Sequence, residues 1–424
     1  MKLEDGVSTQ RTGTGSDLKQ YPFEKILKNA TDLAQKRGLP LAAWRLPSEQ
    51  ARHIILDLSG KSSKVDLELE SLPPGFLYSP FEHDYSHDRT KSAFLHADIY
   101  YNSNLNRLHI SETVDNSSRR LAETFEQRLK DLLADDPESM SKISSSLKPR
   151  LNEKSHTDRE HFINLVKLAI NFINAGYFKK VVPSRRAFWP IPDGLDLGVT
   201  FEKMCTLYPH AFISLLSIPG QGVWLGASPE ILVSTFMHQG VNFFRTVALA
   251  GTQQYDPAAG LSKASWRMKE IEEQAMVSRY IINCFKKIRL REFDEDGPRT
   301  VSAGNLLHLR TDFLVNMDAV NFQELGSVML KLLHPTSAVC GLPKEPSWDF
   351  LQKRENYQRE LYAGFLGPVN VGQQVNIFVN LRCMQVVREG AYLYAGAGVT
   401  ADSDPEKEWI ETEMKMQTLQ RAFL

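Results

Sequence analysis

The sequence contains little cysteine. Four cysteines occur in 424 residues, widely separated and with no C-x-x-C pair (Cys205, Cys284, Cys340 and Cys383). Zinc sites and disulfide frameworks are recognised by closely spaced or numerous cysteines, so neither is expected. Buried thiols in a reducing compartment are expected instead, which favours a cytoplasmic location.

Long apolar runs and an excess of charge are also missing. No stretch approaches the ~20 apolar residues of a transmembrane helix, and the N-terminus lacks the apolar core of a secretory signal. The formal net charge is −1, from 50 basic and 51 acidic residues. Neither nucleic acid nor an anionic membrane is therefore expected as a partner. The hydrophobic content of 42% is sufficient for a sizeable core.

Repeats and common ligand-binding motifs are absent or incomplete. No repeat of fixed period is present. "GTGSD" (residues 13–17) lacks the third glycine and the preceding strand of a dinucleotide-binding loop. "HDYSHD" (residues 83–88) places two histidines four apart, but Tyr85 and Ser86 interrupt a helical pattern and no third ligand is near. A metal site is not expected there.

The N-terminal part of the chain alternates helical and strand patterns. Residues 1–20 are rich in Gly, Ser, Thr and charge and are predicted to be flexible. Periodicity predicts helices over Phe23–Arg37 and Ser118–Ala134, and strands over His53–Leu58, Ala93–Tyr101 and Arg107–Ile110. The polar, serine-rich residues 135–160 are predicted to form a long surface connection.

Start and stop signals are clearer in the remainder. Thr157 and Glu160 form a predicted capping box, and Gly176 suits the end of that helix. Residues 211–236 predict three strands, 262–288 a long helix, 373–398 a hairpin turning at Glu389-Gly390, and Asp404-Pro405 the start of a last helix. Antiparallel strands with long helices between them indicate the α+β class.

Lys180 precedes a Val-Val pair, at the mouth of a predicted buried strand. A lysine in this position either extends its amine to water or is held where its charge is costly. Lys179 should point to the opposite face of the strand. The local pattern leaves both alternatives open for Lys180.

Charged residues on the last helix share one face. Glu408, Glu411 and Lys415 are three and four residues apart, which indicates either a solvated face with an ion pair or part of a site. The preceding "YAGAG" favours a site, because Gly396 and Gly398 would let a ligand approach backbone amides near a helix N-terminus.

Two further groups of acids have both a structural and a chemical interpretation. The acids of "KEIEEQ" (residues 269–274) are either solvent charges or, with an acid from another helix and a substrate oxygen, ligands of Mg²⁺. Glu230 is either a strand-edge acid or a partly buried carboxyl. In the second case a raised pKa would keep it protonated near neutrality, as a general acid requires.

The order of several segments is similar to that of the chorismate-utilising enzymes. The segments are "KKVVPSRR", "GASPEIL", "ALAGT", "KEIEEQAMV", "LLHPTSAVCGLPK", "ENYQRELYAG", "VNLRCMQV" and "YAGAGVTADSDPEKEWIETEMK", within residues 157–419. The resemblance implies one large α+β domain over residues 21–424, with two packed antiparallel sheets, outer helices and a cleft between the sheets. Residues 21–150 would be its variable part and 157–424 its catalytic part.

The resemblance also implies a site for chorismate and Mg²⁺. Glu273 and Glu411 match the positions that bind the metal. Eight residues match positions that bind substrate: Thr252, His308, Tyr362, Arg382, Tyr394, Gly396, Gly398 and Lys415. The fork of an arginine suits a substrate carboxylate. Gln274 and Met414 depart from the His and Asn common in the family.

Within the family the chain most resembles isochorismate synthases, which add water to the ring. Lys180 stands where anthranilate synthases carry Gln, and Ala250 where aminodeoxychorismate synthases carry a nucleophilic lysine. The resemblance implies that Lys180 is the general base and Glu230 the general acid; burial lowers the pKa of a lysine, which suits a base. "RELYAG" resembles the menaquinone subgroup.

Three alternatives stay open from the sequence. The chain could be a salicylate synthase, an anthranilate synthase component I, or an inactive member that acts as a binding subunit. The preferred assignment implies no amidotransferase subunit, and a monomer or weak homodimer is expected.

Overall fold

Two nine-stranded antiparallel sheets, packed face to face, form the centre of the molecule. This is a computed structural model, and it describes residues 17–82, 92–134, 158–191, 195–255, 260–261, 264–303 and 306–423. The predicted α+β class with two packed antiparallel sheets and outer helices is confirmed. No helix within these ranges is long and apolar enough to cross a membrane.

The helices lie outside the two sheets. Those within the described ranges are α1 (Phe23–Arg37), α2 (Asn116–Ala134), α3 (Arg159–Asn174), α4 (Leu197–Leu207), α5 (Met268–Lys287), α6 (Leu325–Leu333), α7 (Lys344–Arg354) and α8 (Pro405–Gln420). In α1 the buried side chains recur at helical spacing, including Ile26, Ala30 and Leu33, which gives that helix one apolar face.

The strands divide between sheet A and sheet B. In spatial order sheet A contains β7 (Arg107–Ile110), β6 (Ile99–Asn102), β2 (His53–Leu56), β1 (Leu41–Arg45), β10 (Phe212–Ile218), β11 (Gly222–Ser228), β19 (Cys383–Val387), β20 (Gly390–Gly396) and β9 (Ser184–Pro190). Sheet B contains β14 (Asp294–Ala303), β15 (Leu306–Asn316), β13 (Val241–Gln254), β12 (Ile231–His238), β18 (Gln374–Val379), β17 (Phe365–Val371), β4 (Gly75–Ser79), β5 (Ser92–His96) and β3 (Ser63–Val65). A separate two-stranded sheet pairs β8 (Lys180–Val181) with β16 (Gly341–Leu342).

The inner faces of sheets A and B meet in an apolar core. Phe212 of β10 stacks on Phe378 of β18, with ring centroids 4.1 Å apart. A second apolar cluster, which includes Leu27, Phe125 and Met204, lies where α1, α2 and α4 cover the other face of sheet A. Strand β1 pairs with β10, and β4 pairs with β17, so strands from the N-terminal part of the chain are built into both sheets.

Two regions, each predicted as one continuous strand or hairpin, contribute strands to both sheets. Their prediction as one continuous element is wrong. Ala93–Tyr101 is two strands, β5 in sheet B and β6 in sheet A. The carboxylate of Asp98, between them, accepts the Leu58 amide and fixes the crossing. Residues 373–398 likewise contain β18 of sheet B followed by the β19–β20 hairpin of sheet A. The chain changes sheets at Arg382, whose φ is 46°.

Helix starts also differ from the predictions. The long helix begins at Met268 rather than near residue 262, because the Glu270 carboxylate reaches back to the Arg267 amide at 2.9 Å. Asp158 caps α3 by accepting the His161 amide, whereas Thr157 lies outside the described residues. The last helix begins at Pro405 with Asp404 as its cap, as predicted.

The segment predicted to be flexible, residues 1–20, includes residues that are packed into the fold. Residue Leu18 is buried, and its amide donates to the Asn106 carbonyl at 2.9 Å. Residues 1–16, the two histidines of "HDYSHD", and residues 135–157 of the predicted surface connection lie outside the described ranges.

Candidate active site

Lys180 lies on β8 and is fully buried, at 0% exposure. Its strand is held from both sides, because Leu342 pairs with Lys180 in β16 and Val181 bridges Val399. Lys179 is exposed, as the alternation of side chains along a strand requires. The alternative in which Lys180 extends its amine to water is therefore wrong.

Lys180 forms an ion pair with Glu273 of α5. Its Nζ lies 2.7 Å from Oε1 of Glu273. Burial would raise the pKa of Glu273, but the charge and hydrogen bond of Lys180, helped by Lys415, hold that pKa below its ordinary value. Glu273 is accordingly a carboxylate in the folded protein.

Gly398 packs directly against this ion pair. A Cβ at that position would lie 2.5 Å from Oε1 of Glu273 and 3.1 Å from Cε of Lys180. The flanking amides of Ala397 and Val399 donate to the carbonyls of Pro183 and Val181. Within the described residues the Gly398 amide has no such backbone partner, so it is available to an anion.

Glu230 occupies the connection between β11 and β12 and is 3% exposed. Its Oε1 accepts a hydrogen bond from Oγ1 of Thr336 at 3.4 Å. Burial raises the pKa of Glu230 to about 7, although Thr336 and the charges of Lys180, Lys415 and Arg382 act in the opposite direction. The predicted raised pKa is confirmed, and near neutral pH a large fraction of this carboxyl carries a proton.

The charged face of α8 points inward rather than to solvent. Glu408 is 1% exposed, and Oε1 of Glu411 lies 2.6 Å from Nζ of Lys415. Lys415 also donates to the Gly396 carbonyl at 2.8 Å. The solvated-face alternative is wrong, because Glu408 is buried and Lys415 contacts the end of β20.

Lys269 of α5 completes a group of three lysine–carboxylate pairs. Its Nζ lies 2.5 Å from Oε1 of Glu408. Burial and the neighbouring charge of Glu411 raise the pKa of Glu408, while Lys269 lowers it. The sequence indicated Glu408 only as a member of a charged face; its i, i+3 spacing to Glu411 was the available signal for a role in the site.

The donor set suits a hard divalent cation. Among the residues that the structure describes, no three His, Cys, Asp or Glu side chains form a group that could hold a metal. Glu273 and Glu411 are nevertheless partly exposed, at 18% and 23%, and both offer carboxylate oxygens. Mg²⁺ commonly takes one or two carboxylates and completes its shell with water and substrate oxygens, so these two residues fit it.

Arg382 is a buried cation with no counter-ion among the described residues. It is 8% exposed, and no carboxylate in the described part of the chain lies within ion-pair distance of its guanidinium. Burial lowers the pKa of Arg382 to about 10. A buried guanidinium that keeps its charge without a carboxylate partner is suited to bind an anionic ligand.

His308 lies beside Arg382 as a neutral imidazole. Its Nδ1 lies 2.6 Å from the Gly251 carbonyl, and its Nε2 lies 3.4 Å from Nη2 of Arg382. Burial, followed by the charge of Arg382, lowers the pKa of His308 to about 3. Thr252 lies nearby on the irregular part of β13, between Ala250 and Gln253, and is partly exposed.

Two stacked tyrosine rings lie next to Gly396. The rings of Tyr362 and Tyr394 stack with centroids 5.5 Å apart, and both are buried. A Cβ on Gly396 would lie 3.0 Å from the Tyr362 hydroxyl oxygen. The Tyr394 hydroxyl is directed to Oε1 of Gln385, at 3.4 Å.

The sequence match to known proteins decides the family. A family model described as "Chorismate binding enzyme" matches residues 93–424, which is most of the chain. The chain belongs to the chorismate binding enzyme family. The match begins within β5, well before the Thr157 start expected from the motifs, so the family region includes part of the segment that was expected to be variable.

Curated members of this family are similar over part of their length. Isochorismate synthase EntC of Escherichia coli is 29% identical over 250 residues, which is 58% of this chain and 62% of the relative. Isochorismate synthase MenF of Escherichia coli is 27% identical over 267 residues, 62% of this chain and 60% of the relative. The alignments thus span less than two thirds of these relatives.

Solved structures of chorismate binding enzymes share the fold. The menaquinone-specific isochorismate synthase MenF from Escherichia coli superposes with a TM-score of 0.70 at 22% identity, covering 93% of this chain and 91% of that one. Anthranilate synthase component I from Streptococcus pneumoniae gives 0.63 at 18% identity, covering 99% and 95%. At these identities the similarity establishes the fold alone.

Proposed function

We propose that this chain is an isochorismate synthase, which converts chorismate to isochorismate by adding water at C2 with loss of the 4-hydroxyl. The observation that carries the proposal is the burial, within one charged site, of a lysine and of a carboxyl that is part-protonated near neutrality. Water addition with loss of hydroxide needs a proton acceptor and a proton donor, and Lys180 and Glu230 supply one of each.

Lys180 would take the proton from the attacking water. Its amine is fully buried and lies 2.7 Å from Oε1 of its ion-pair partner Glu273. Glu273 and Glu411 would hold a Mg²⁺ ion, and that ion would supply positive charge to offset the ring carboxylate of chorismate. Gly398 leaves the space at that ion pair open, since any side chain there would collide with it.

Glu230 would protonate the departing 4-hydroxyl. The carboxyl is held by Thr336, and its pKa of about 7 leaves it able both to give up a proton and to regain one. When isochorismate returns to chorismate, the Glu230 carboxylate becomes the base and the Lys180 ammonium the acid.

Arg382 and Lys415 would orient the substrate carboxylates. Arg382 is buried and has no carboxylate within ion-pair distance among the residues that the structure describes, and Lys415 already bridges Glu411 and the Gly396 carbonyl. The uncharged His308 fixes Arg382 from one side without neutralising it, because at its lowered pKa it carries no charge. Thr252, Tyr362, Tyr394 and the amide of Gly398 would line the remainder of the site.

A product assay tests the proposal. Purified protein is incubated with chorismate and Mg²⁺, and the products are separated by chromatography with fluorescence detection. Isochorismate alone supports the proposal. Salicylate would assign the chain to the salicylate synthases, anthranilate formed with added ammonia would assign it to the anthranilate synthases, and no conversion with retained chorismate binding would indicate an inactive binding subunit.

We further propose a place in menaquinone formation, which rests on the "RELYAG" segment (residues 359–364) alone. Complementation separates the branches. The gene should restore quinone-dependent growth to a bacterial strain that lacks its menaquinone-specific isochorismate synthase. Restoration only of catechol siderophore production in a matched strain would place the chain in that branch instead.

A further inference from the structure

Arg359 and Glu355 form a buried ion pair in the segment that follows α7. Their side chains are 2% and 4% exposed. Two parallel hydrogen bonds join them, from Nε to Oε2 at 2.8 Å and from Nη2 to Oε1 at 2.6 Å. Burial lowers the pKa of an arginine, but the charge and hydrogen bonds of Glu355 outweigh it and raise the pKa of Arg359. The guanidinium therefore keeps its charge.

The same guanidinium binds two backbone segments at once. Nη1 donates to the Val339 carbonyl at 2.8 Å, and Nη2 donates to the Val182 carbonyl at 2.7 Å. The Phe81 ring lies against the guanidinium, 4.1 Å from its carbon. Four of the five N–H donors of this arginine thus bond to protein groups.

Glu355 ties the pair to β9 as well. Its Oε1 accepts the Ser184 amide at 2.7 Å and the Ser184 hydroxyl at 3.0 Å. Val182 and Ser184 flank Pro183, which has no amide hydrogen to donate. The chain just after Lys180 is therefore held by these two side chains in addition to its backbone hydrogen bonds.

Arg359 binds one carbonyl near Lys180, the proposed base, and one near Thr336, which contacts the proposed acid Glu230. Val182 follows Lys180 by two residues, and Val339 follows Thr336 by three. The Thr336 hydroxyl contacts Glu230. The guanidinium of Arg359 therefore links the segment that carries Lys180 to the loop that contacts Glu230.

We infer that Arg359 and Glu355 are positioning residues that set the placement of Lys180 relative to Glu230. They act through backbone carbonyls and touch no reacting atom. The inference rests on the proposed function, because it assigns the acid–base roles to Lys180 and Glu230. A displacement of about 1 Å between reacting groups can cost about 10²-fold in rate, so loss of the pair should lower kcat.

A pair that only stabilises the fold would affect stability but not kcat. Substituting both residues of the pair together distinguishes this structural role from positioning. Replacing both partners of a buried ion pair by apolar groups of similar size often leaves stability unchanged. Removing one partner is destabilising, because the other charge stays buried without a counter-ion. The test variant is therefore Arg359→Met with Glu355→Met. The matched control is Arg52→Met with Glu202→Met, which removes a similarly bidentate pair, with contacts of 2.9 and 2.8 Å, near α4.

The experiment measures kcat and KM for chorismate at saturating Mg²⁺, with the melting temperature of each variant. Positioning predicts about a 10²-fold lower kcat for the test variant, with KM within about threefold of wild type. The control should keep wild-type kcat. A folded test variant with wild-type kcat would overturn the inference, and so would a higher KM at unchanged kcat.

Arg359→Lys keeps the test decisive if the double variant does not fold. A lysine retains the charge but cannot reach Glu355 and both carbonyls with one ammonium. The inference expects an intermediate loss of kcat in a folded protein, and unchanged kcat would overturn it. Failure of the proposed function is seen separately, because wild-type protein would then form no isochorismate in the same assay.

Discussion

Nζ of Lys180 lies 2.7 Å from Oε1 of Glu273, so the proposed base is held by a proposed metal ligand. The two residues come from β8 and α5, far apart in the sequence. A change in the charge on Glu273 therefore acts directly on the amine that would accept a proton.

Lys180→Gln should abolish water addition and leave the fold intact. Glutamine has a similar length and can still donate to Glu273, but it cannot accept a proton near pH 7. General bases contribute roughly 10²–10⁴-fold, so kcat should fall by that order. Steady-state kinetics with circular dichroism checks this, and a variant that keeps more than about a tenth of wild-type kcat would remove Lys180 from the mechanism.

Lys179→Ala is the matched control for that variant. Lys179 is exposed on the other side of the chain, so its removal should leave kcat and the melting temperature near those of wild type. A loss of activity in this control would show that the loss in Lys180→Gln reflects strand disruption rather than chemistry.

Glu230→Gln should slow the forward and reverse reactions by similar large factors. The amide can neither donate an acidic proton nor accept one, and microscopic reversibility leaves the equilibrium constant unchanged. Chorismate affinity should change much less, because the carboxyl acts as charge develops on the leaving oxygen. Rates measured from both substrates check this; near-normal turnover with weak affinity would assign Glu230 to binding instead.

The pKa of Glu230 also predicts a dependence of stability on pH. Its value of about 7 in the folded protein lies above its ordinary 4.5, so the folded state holds this proton more tightly than the unfolded state. The resulting stabilisation is complete below pH 4.5 and is lost as pH rises to 7. This amounts to about 3 kcal/mol. Urea unfolding at several pH values should show this loss in wild type relative to Glu230→Gln, and equal slopes would contradict it.

Glu411→Gln should raise the Mg²⁺ concentration needed for half-maximal activity. The substitution removes one negative charge from a site that offers hard oxygen ligands. Calorimetric titration with Mg²⁺, together with activity at limiting Mg²⁺, measures the effect. Glu406→Gln on the same helix is the control, since Glu406 is about half exposed and pairs with Arg159 at the surface. Unchanged Mg²⁺ affinity in Glu411→Gln would mean that the metal is bound elsewhere.

Gly398→Ala should impair catalysis without unfolding the protein. The added Cβ would lie 2.5 Å from Oε1 of Glu273 and would push apart the Lys180–Glu273 pair. The clash is local, so the melting temperature should fall by a few degrees at most, on the order of 1 kcal/mol. Kinetics and a thermal melt check this, and wild-type kcat would show that the ion pair can move freely.

The sequence predicted the helices and the class of fold well, because long apolar periodicities and caps are local signals. Phe23–Arg37 and the α8 start at Pro405 match the structure. The strand regions that change sheets were not predicted. Crossings at Asp98 and Arg382 depend on contacts with distant backbone, which local patterns do not show.

The candidate site likewise contains residues that the sequence predicted and contacts that it did not. Family motifs indicated Lys180, Glu230 and Arg382, and the structure brings their charges into mutual range. The partners that determine their state, such as Thr336 and Lys269, come from segments whose spacing along the chain carries no sign of the contact. Which lysine neutralises which carboxylate is a property of the packed helices rather than of either helix alone.

The pairing of the short strand β8 has a consequence for the order of assembly. Lys180 is bordered by Leu342 and, through Val181, by Val399, so its neighbours are synthesised long after the lysine itself. Contacts of such long sequence separation form late, after the loops between them have closed. During synthesis the sheets can begin to pair while this lysine has no partner strand, and catalytic competence is acquired only when the last part of the chain docks.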